Sequence, residues 1–245
     1  MSSKKKQNLD YLYPLFITFF LILSVYNYFS CAITLRFAAE KQMSLSIADL
    51  LIIQSDNNLL LFPLFITLQW GQLKNDFLIN NILRKNSKQQ LFLEQIVNGV
   101  IITVVFISLY IILSFFISTF FASSFINFSR EDSQYFMVVN KLLSLEFYQF
   151  LIKYALNLFM RSCLLFLCFL CTFWQSKKGY IFTIILTPFI NQVGNFLLTS
   201  TKLNLLFLNS YLSFDMYHYF NFSVIIIAII FIWLQLKIIR KKEFY

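Results

Sequence analysis

The residues best placed for chemistry in this sequence form a polar stripe within one apolar segment. The stripe has one member every four positions: Gln149, Lys153, Asn157 and Arg161. On an α-helix this spacing places the side chains on one face. Polar and ionisable groups inside a membrane usually face the helix bundle or a watery cavity. Asn157 and Arg161 are therefore candidates for lining a translocation path or for pairing helices, while Lys153 is expected to extend out of the hydrocarbon.

A neutral polar series occurs in the next apolar segment. Its members are again four positions apart: Thr187, Asn191, Asn195 and Thr199. Pro188 can kink this helix because its ring removes a backbone hydrogen bond. Amide side chains in membrane helices most often bond to a neighbouring helix. Asn191 and Asn195 are thus predicted to pair helices, and a broken helix beside a transport route is the alternative.

Residues for enzyme or metal chemistry are sparse. The chain has four Cys and one His, without the spacing of a metal site. It has no His-Glu-x-x-His motif, no Gly-x-Ser-x-Gly elbow and no Gly-x-x-x-x-Gly-Lys-Ser/Thr phosphate loop. We expect no catalytic, metal-binding or cofactor-binding residue, and no ATP hydrolysis through a phosphate loop.

The elements that carry these residues are predicted from composition and charge. Hydrophobic residues make up 59% of the chain and charged residues 13%, about half the charged share of a soluble domain. The Lys and Arg residues concentrate in four short segments between long apolar runs, as in cytoplasmic loops. The Lys and Arg residues that give the net charge of +9 then face anionic lipid headgroups. Nucleic-acid binding is therefore not expected.

These patterns predict an all-α, polytopic membrane protein with cytoplasmic N- and C-termini. A span needs about 20 apolar residues to cross the bilayer. We predict one transmembrane domain over residues 1–245, with six spans at about 11–35, 50–72, 95–121, 150–174, 180–199 and 220–236.

The segment between the second and third spans combines apolar and basic residues. Its residues of interest are Lys74, Asp76, Phe77, Ile82, Arg84, Lys85 and Lys88. The apolar members have helical spacing, which predicts a short amphipathic helix at the membrane surface followed by a basic turn. An ordinary positive loop would explain the basic residues equally well.

Residues 60–64, Leu-Leu-Phe-Pro-Leu, and 78–88, Leu-Ile-Asn-Asn-Ile-Leu-Arg-Lys-Asn-Ser-Lys, carry a family resemblance. The chain resembles the permease subunits of ABC-2-type ATP-binding cassette transporters. The resemblance implies that the segment Lys74 to Lys88 couples to an ATPase subunit, which binds ATP and Mg. It also implies a second permease subunit, identical or different, and a multi-pass location in a bacterial plasma membrane.

Two functions remain open from the sequence. The resemblance implies export of a peptide, antibiotic or other amphipathic substrate, as in bacteriocin export or immunity systems. The alternative is a non-transporting immunity or assembly protein that sequesters a toxic peptide at the outer face and needs no ATPase.

Overall fold

The computed structural model describes residues 2–57, 60–76, 87–122, 124–175, 181 and 217–241. These residues contain α-helices and no strand, so the predicted all-α class is confirmed for them. The helices are α1 (Ser2–Glu40), α2 (Ile47–Asn57), α3 (Leu61–Asp76), α4 (Lys88–Ser118), α5 (Gln134–Val139), α6 (Phe147–Gln175) and α7 (Tyr217–Lys241).

Three of the described helices are long and apolar enough to cross a membrane. They are Phe16–Glu40 of α1, α4 and α6, with mean hydropathies of 1.8, 2.9 and 1.9. A shorter apolar stretch, Ala228–Ile239, lies in α7. The predicted membrane character is therefore confirmed. Six spans and cytoplasmic termini stay predictions.

The contacts of α4 define the directions of its neighbours. The Phe20 ring lies 5.5 Å from the Phe106 ring, and Tyr28 lies 5.2 Å from Phe121, so α1 and α4 run in the same direction. The helix α6 runs in the opposite direction, because its first residue, Phe147, lies 5.9 Å from Phe115 near the end of α4. We refer to the two ends of this bundle as the Lys88 end and the Ser118 end, after the bounds of α4.

The predicted second span, residues 50–72, is not one helix. The helix α2 ends at Asn57 and α3 begins at Leu61, with residues 58–59 outside the described part of the chain. Pro63 is the third residue of α3, where a missing backbone N–H costs no helical hydrogen bond. Proline therefore fits the start of a helix at this place, whereas it would disrupt the interior of a continuous one.

The Ser118 end is covered by non-helical chain that we call the loop cap, residues 41–46 and 124–146 without α5. Isolated parallel bridges join Ser44 to Ser133 and Ser46 to Ser124. The Asn127 side chain donates to the Ser44 carbonyl at 2.9 Å. These bonds satisfy backbone groups that a loop would otherwise leave unpaired. The loop cap thus ties the start of α2 to the chain that follows α4.

Candidate functional site

Arg161 is the last residue of the polar stripe on α6. It is the central residue of α6, with fourteen residues on either side. Only 5% of it is exposed, and its guanidinium carbon lies 6.0 Å from the centre of the Phe62 ring on α3. A charge at mid-membrane is costly in lipid, so the fold places it against protein. The aromatic face also favours the cation.

The rest of the predicted stripe becomes more buried toward the middle of α6. Gln149 is exposed, Lys153 is half-buried, and Asn157 is 6% exposed. This gradient follows the predicted face, with the end of the helix near water and its centre packed between helices. The structure therefore brings Asn157 and Arg161 together in the core.

A second polar series, which we call the α4 ladder, lies on the buried face of α4. Its members are Gln95, Gly99, Thr103, Tyr110, Ser114 and Ser118. Most are four residues apart, so they follow one face of the helix. The contribution of Gly99 is its carbonyl oxygen. The ladder makes α4 the helix to which polar groups of its neighbours bind.

Amide side chains from α1 and α2 bind the ladder near the Ser118 end. Asn27 donates to the Ser114 hydroxyl at 3.0 Å, and Gln54 donates to the Ser118 hydroxyl at 2.9 Å. Gln54 also lies 2.7 Å from the Cys31 sulfur. All five side chains are at most 1% exposed, so these hydrogen bonds form away from solvent.

An amide from α3 binds the ladder nearer the Lys88 end. Gln69 donates to the Gly99 carbonyl at 3.0 Å and to the Thr103 hydroxyl at 3.3 Å. The Thr103 hydroxyl itself donates to the Gly99 carbonyl at 2.7 Å. These bonds join α3 to α4. On α3, Gln69 lies seven residues, or about two helical turns, after Phe62, whose ring contacts Arg161.

The helices α4 and α6 interlock through a close approach. A Cβ atom added to Gly99 would lie 1.9 Å from the Phe166 ring, so the ring rests directly on the α4 backbone. The Trp174 indole N–H donates to the Gln95 side chain at 2.8 Å. Glycine is therefore required at position 99 for the two helices to pack this closely.

The predicted ATPase-coupling segment lies largely outside the described residues. Phe77, Ile82, Arg84 and Lys85 are outside them, and the side chain of Asp76 is not described although it ends α3. Lys74 is exposed in the last turn of α3, with its ammonium 5.2 Å from the Trp70 ring. Lys88 begins α4, which Ser87 caps by accepting from the Gln90 N–H at 3.1 Å.

Asn191 and Asn195 also lie outside the described residues, so their predicted pairing of helices stays a prediction.

Each end of the described bundle has an open groove. The groove at the Lys88 end has a volume of about 700 Å³ and runs along the first turns of α4, past Gln90, Glu94 and Asn98. The groove at the Ser118 end has a volume of about 500 Å³ and is lined by Ser129, Glu146 and Gln149 among others. Within the described part of the chain, no cluster of His, Cys, Asp and Glu could hold a metal ion.

The α4 ladder was not identified from the sequence. The run from Gln95 to Ser129 has no charge, and its hydropathy concealed the small polar groups in it. The signal was the four-residue spacing of Gln95, Gly99 and Thr103, together with Ser114 and Ser118. The groups that bind the ladder are buried amides elsewhere in the chain, those of Asn27, Gln54 and Gln69.

No family model, curated protein or solved structure matches this chain.

Proposed function

We propose that the chain is the membrane-spanning permease subunit of an ABC-2-type ATP-driven transporter. The observation that carries this proposal is the resemblance of residues 60–64 and 78–88 to such permeases. That stretch joins the exposed Lys74 at the end of α3 to Lys88 at the start of α4. A partner that binds the connection could therefore act on two helices at once.

The packing of α3 and α4 supports a coupling role for this connection. Gln69 bonds α3 to α4, and the Phe166 ring rests on Gly99, which joins α4 to α6. Displacement of one helix strains the helices packed against it, because close-packed protein interiors transmit strain. A force applied at the Lys88 end would thus reach α6 and the buried Arg161.

The proposed partners follow from the resemblance. In such a transporter a separate ATP-binding cassette ATPase would bind ATP and Mg, which agrees with the lack of a phosphate loop in this sequence. A second permease subunit, identical or different, would complete the transport path. The complex would lie in a bacterial plasma membrane and export a peptide, antibiotic or other amphipathic substrate.

One observation favours the alternative, a membrane protein that sequesters a toxic peptide without transport. The groove at the Ser118 end is open and lined by the exposed Glu146 and Gln149, which could contact a cationic peptide. This function requires no ATPase. Sequestration would therefore depend on the Ser118 end of the molecule, whereas transport would depend on the Lys88 end.

Charge reversal at the Lys88 end tests the permease proposal. The variant carries Arg84→Glu, Lys85→Glu and Lys88→Glu, and the expected ATPase partner, sought among the products of adjacent genes, is captured from detergent extracts. We expect at least a tenfold loss of captured ATPase. The reversed side chains would repel the acidic groups of the ATPase with which the basic residues pair.

The matched control reverses three exposed basic residues of the Ser118 end, Lys41, Arg130 and Lys141. It should retain the ATPase. Membrane insertion of both variants is measured by extraction, since basic loops also orient the helices. Equal capture by both inserted variants contradicts the proposal, and protection against a toxic peptide that survives the first variant favours sequestration.

A further inference from the structure

Three buried amides on the α1–α3 side of the bundle bind the same face of α4. They are Asn27, Gln54 and Gln69, one from each helix, and each donates its N–H to a member of the α4 ladder. The partners of these amides lie at Ser114, Ser118 and Gly99. Each of these positions has another polar residue four positions earlier in the chain: Tyr110, Ser114 and Gln95.

Three glutamines in this interface, Gln54, Gln69 and Gln95, each have one amide atom without a hydrogen bond from the described residues. The Oε1 atom of Gln69 accepts no hydrogen bond from the described residues, although it is fully buried. The Nε2 atom of Gln95 likewise donates to none of them, and Gln95 is 1% exposed. A buried unsatisfied polar atom costs free energy, so it calls for a physical explanation. The atoms of Gln69 and Gln95 are a complementary acceptor and donor.

The separation of these two groups along α4 is one helical turn. Gln69 binds the Gly99 carbonyl, and Gln95 precedes Gly99 by four residues. Four residues of α-helix rise about 6 Å. The same displacement would bring Ser114 to Gln54, whose Oε1 atom also accepts no bond from described residues. It would bring Tyr110 to Asn27.

The helices α4 and α6 can make this displacement only together. The Phe166 ring lies against Gly99, and a shift of one turn between the two helices would push Gln95 or Thr103 into the ring. Trp174 also holds Gln95. In contrast, the α1–α3 side contacts the ladder through amides that find equivalent partners one turn away.

We propose that α4 and α6 shift as one unit by one helical turn toward the Ser118 end, along α1, α2 and α3. Asn27 then binds Tyr110, Gln54 binds Ser114, and Gln69 accepts from Gln95. Turn-by-turn displacement between packed elements is an established form of two-state motion. The shift goes beyond the proposed function and does not depend on it, because no ATPase is needed to observe it.

Several contacts of the described structure oppose the shift. The Phe106 ring of α4 lies 5.5 Å from Phe20 on α1 and 5.4 Å from Phe65 on α3, and these rings have to separate. Arg161 on α6 likewise leaves the Phe62 ring on α3. The Tyr154 hydroxyl on α6 donates to the Leu51 carbonyl on α2 at 2.9 Å, and this bond breaks.

The chain between Ser118 and Ser124, where the loop cap binds α2, has to absorb the displacement. Ser118 binds Gln54, whereas Ser124 binds Ser46 at the start of α2, so the shift moves Ser118 about 6 Å toward Ser124 and this chain has to shorten its span.

The test measures distances between pairs of spin labels in a chain whose four cysteines are replaced by alanine, in lipid nanodiscs. One pair lies at Ile17 on α1 and Phe116 on α4, both exposed and well separated along the axis. The shift adds a second distance that is longer by about 5–6 Å. A pair within the moving unit, Val97 and Ile152, keeps one distance.

Substitutions move the two populations in opposite directions. Ser118→Ala and Tyr154→Phe each remove a bond of the present position and should raise the shifted population about fivefold, the factor of one net hydrogen bond. Tyr110→Phe removes a bond of the shifted position and should lower that population by a similar factor. One distance in the double variant Ser118→Ala/Tyr154→Phe, or an equal effect of all three substitutions, overturns the proposal.

Discussion

Arg161 shows how this fold accommodates charge at the level of a single residue. Its guanidinium is buried among protein groups at the centre of α6, whereas Lys153, two turns nearer the helix end, is half-buried. The cost of a cation falls as it approaches headgroups and water, so the two residues need different surroundings. Arg161 is therefore part of the packing between α6 and α3.

Alanine at position 161 should destabilise the protein far more than alanine at 153. Arg161→Ala removes a buried side chain and its contact with the Phe62 ring, which costs about 3 kcal/mol or more in free energy of unfolding. Lys153→Ala should cost about 1 kcal/mol or less. Denaturation of both variants in mild detergent measures the difference. Equal losses would mean that burial of Arg161 contributes nothing to stability.

At the level of elements, the stability of the short helix α2 depends on hydrogen bonds in its first turn. The Ser46 N–H donates to the Asp49 carboxylate at 3.0 Å, and the Asp49 N–H donates to the Ser46 hydroxyl at 3.2 Å. This reciprocal pair satisfies two N–H groups that the helix leaves open. Both residues are fully buried, so water cannot replace a missing bond.

Removing this cap should therefore cost more than removing an accessible one. We expect Ser46→Ala to lower the free energy of unfolding by about 2 kcal/mol, the upper range for caps. Ser87→Ala at the start of α4, where the side chain is half-buried, should cost about 0.5–1 kcal/mol. Amide hydrogen exchange in the two helices reports each loss. A larger loss for Ser87→Ala would refute the role of burial.

The sequence predicted elements better than it predicted their interruptions and contacts. Long apolar runs identified α1, α4 and α6, because hydropathy over a span is a strong signal. The break between α2 and α3 was missed, since Gln54 to Leu73 has only Asp56 as a charge and reads as one weak span. Pro63 was the local sign of a helix start.

Residue contacts across the bundle were the least predictable feature. The stripe on α6 was found because a Lys and an Arg stand out in an apolar run. The partners of the α4 ladder lie as many as 87 residues away, as Asn27 does from Ser114. No local pattern joins such residues, because only the packing of the helices brings them together.

On the scale of the whole molecule, the described helices form a bundle with two unlike ends. The loop cap closes the Ser118 end with backbone bonds, and the Lys88 end presents the exposed Lys74 and the start of α4. A permease needs this asymmetry, because the ATPase binds one side of the membrane and the substrate leaves from the other. We propose that the Lys88 end is the one that binds an ATPase.

The ATPase-binding role of the Lys88 end is tested by the ATP turnover of the candidate ATPase, purified alone and reconstituted with this chain in lipid nanodiscs. We expect the two proteins to co-purify and the chain to change the ATP turnover severalfold. The Arg84→Glu, Lys85→Glu, Lys88→Glu variant should leave it at the value of the free ATPase. Failure to co-purify, with identical turnover in the presence and absence of the inserted chain, would contradict ATPase binding by the Lys88 end.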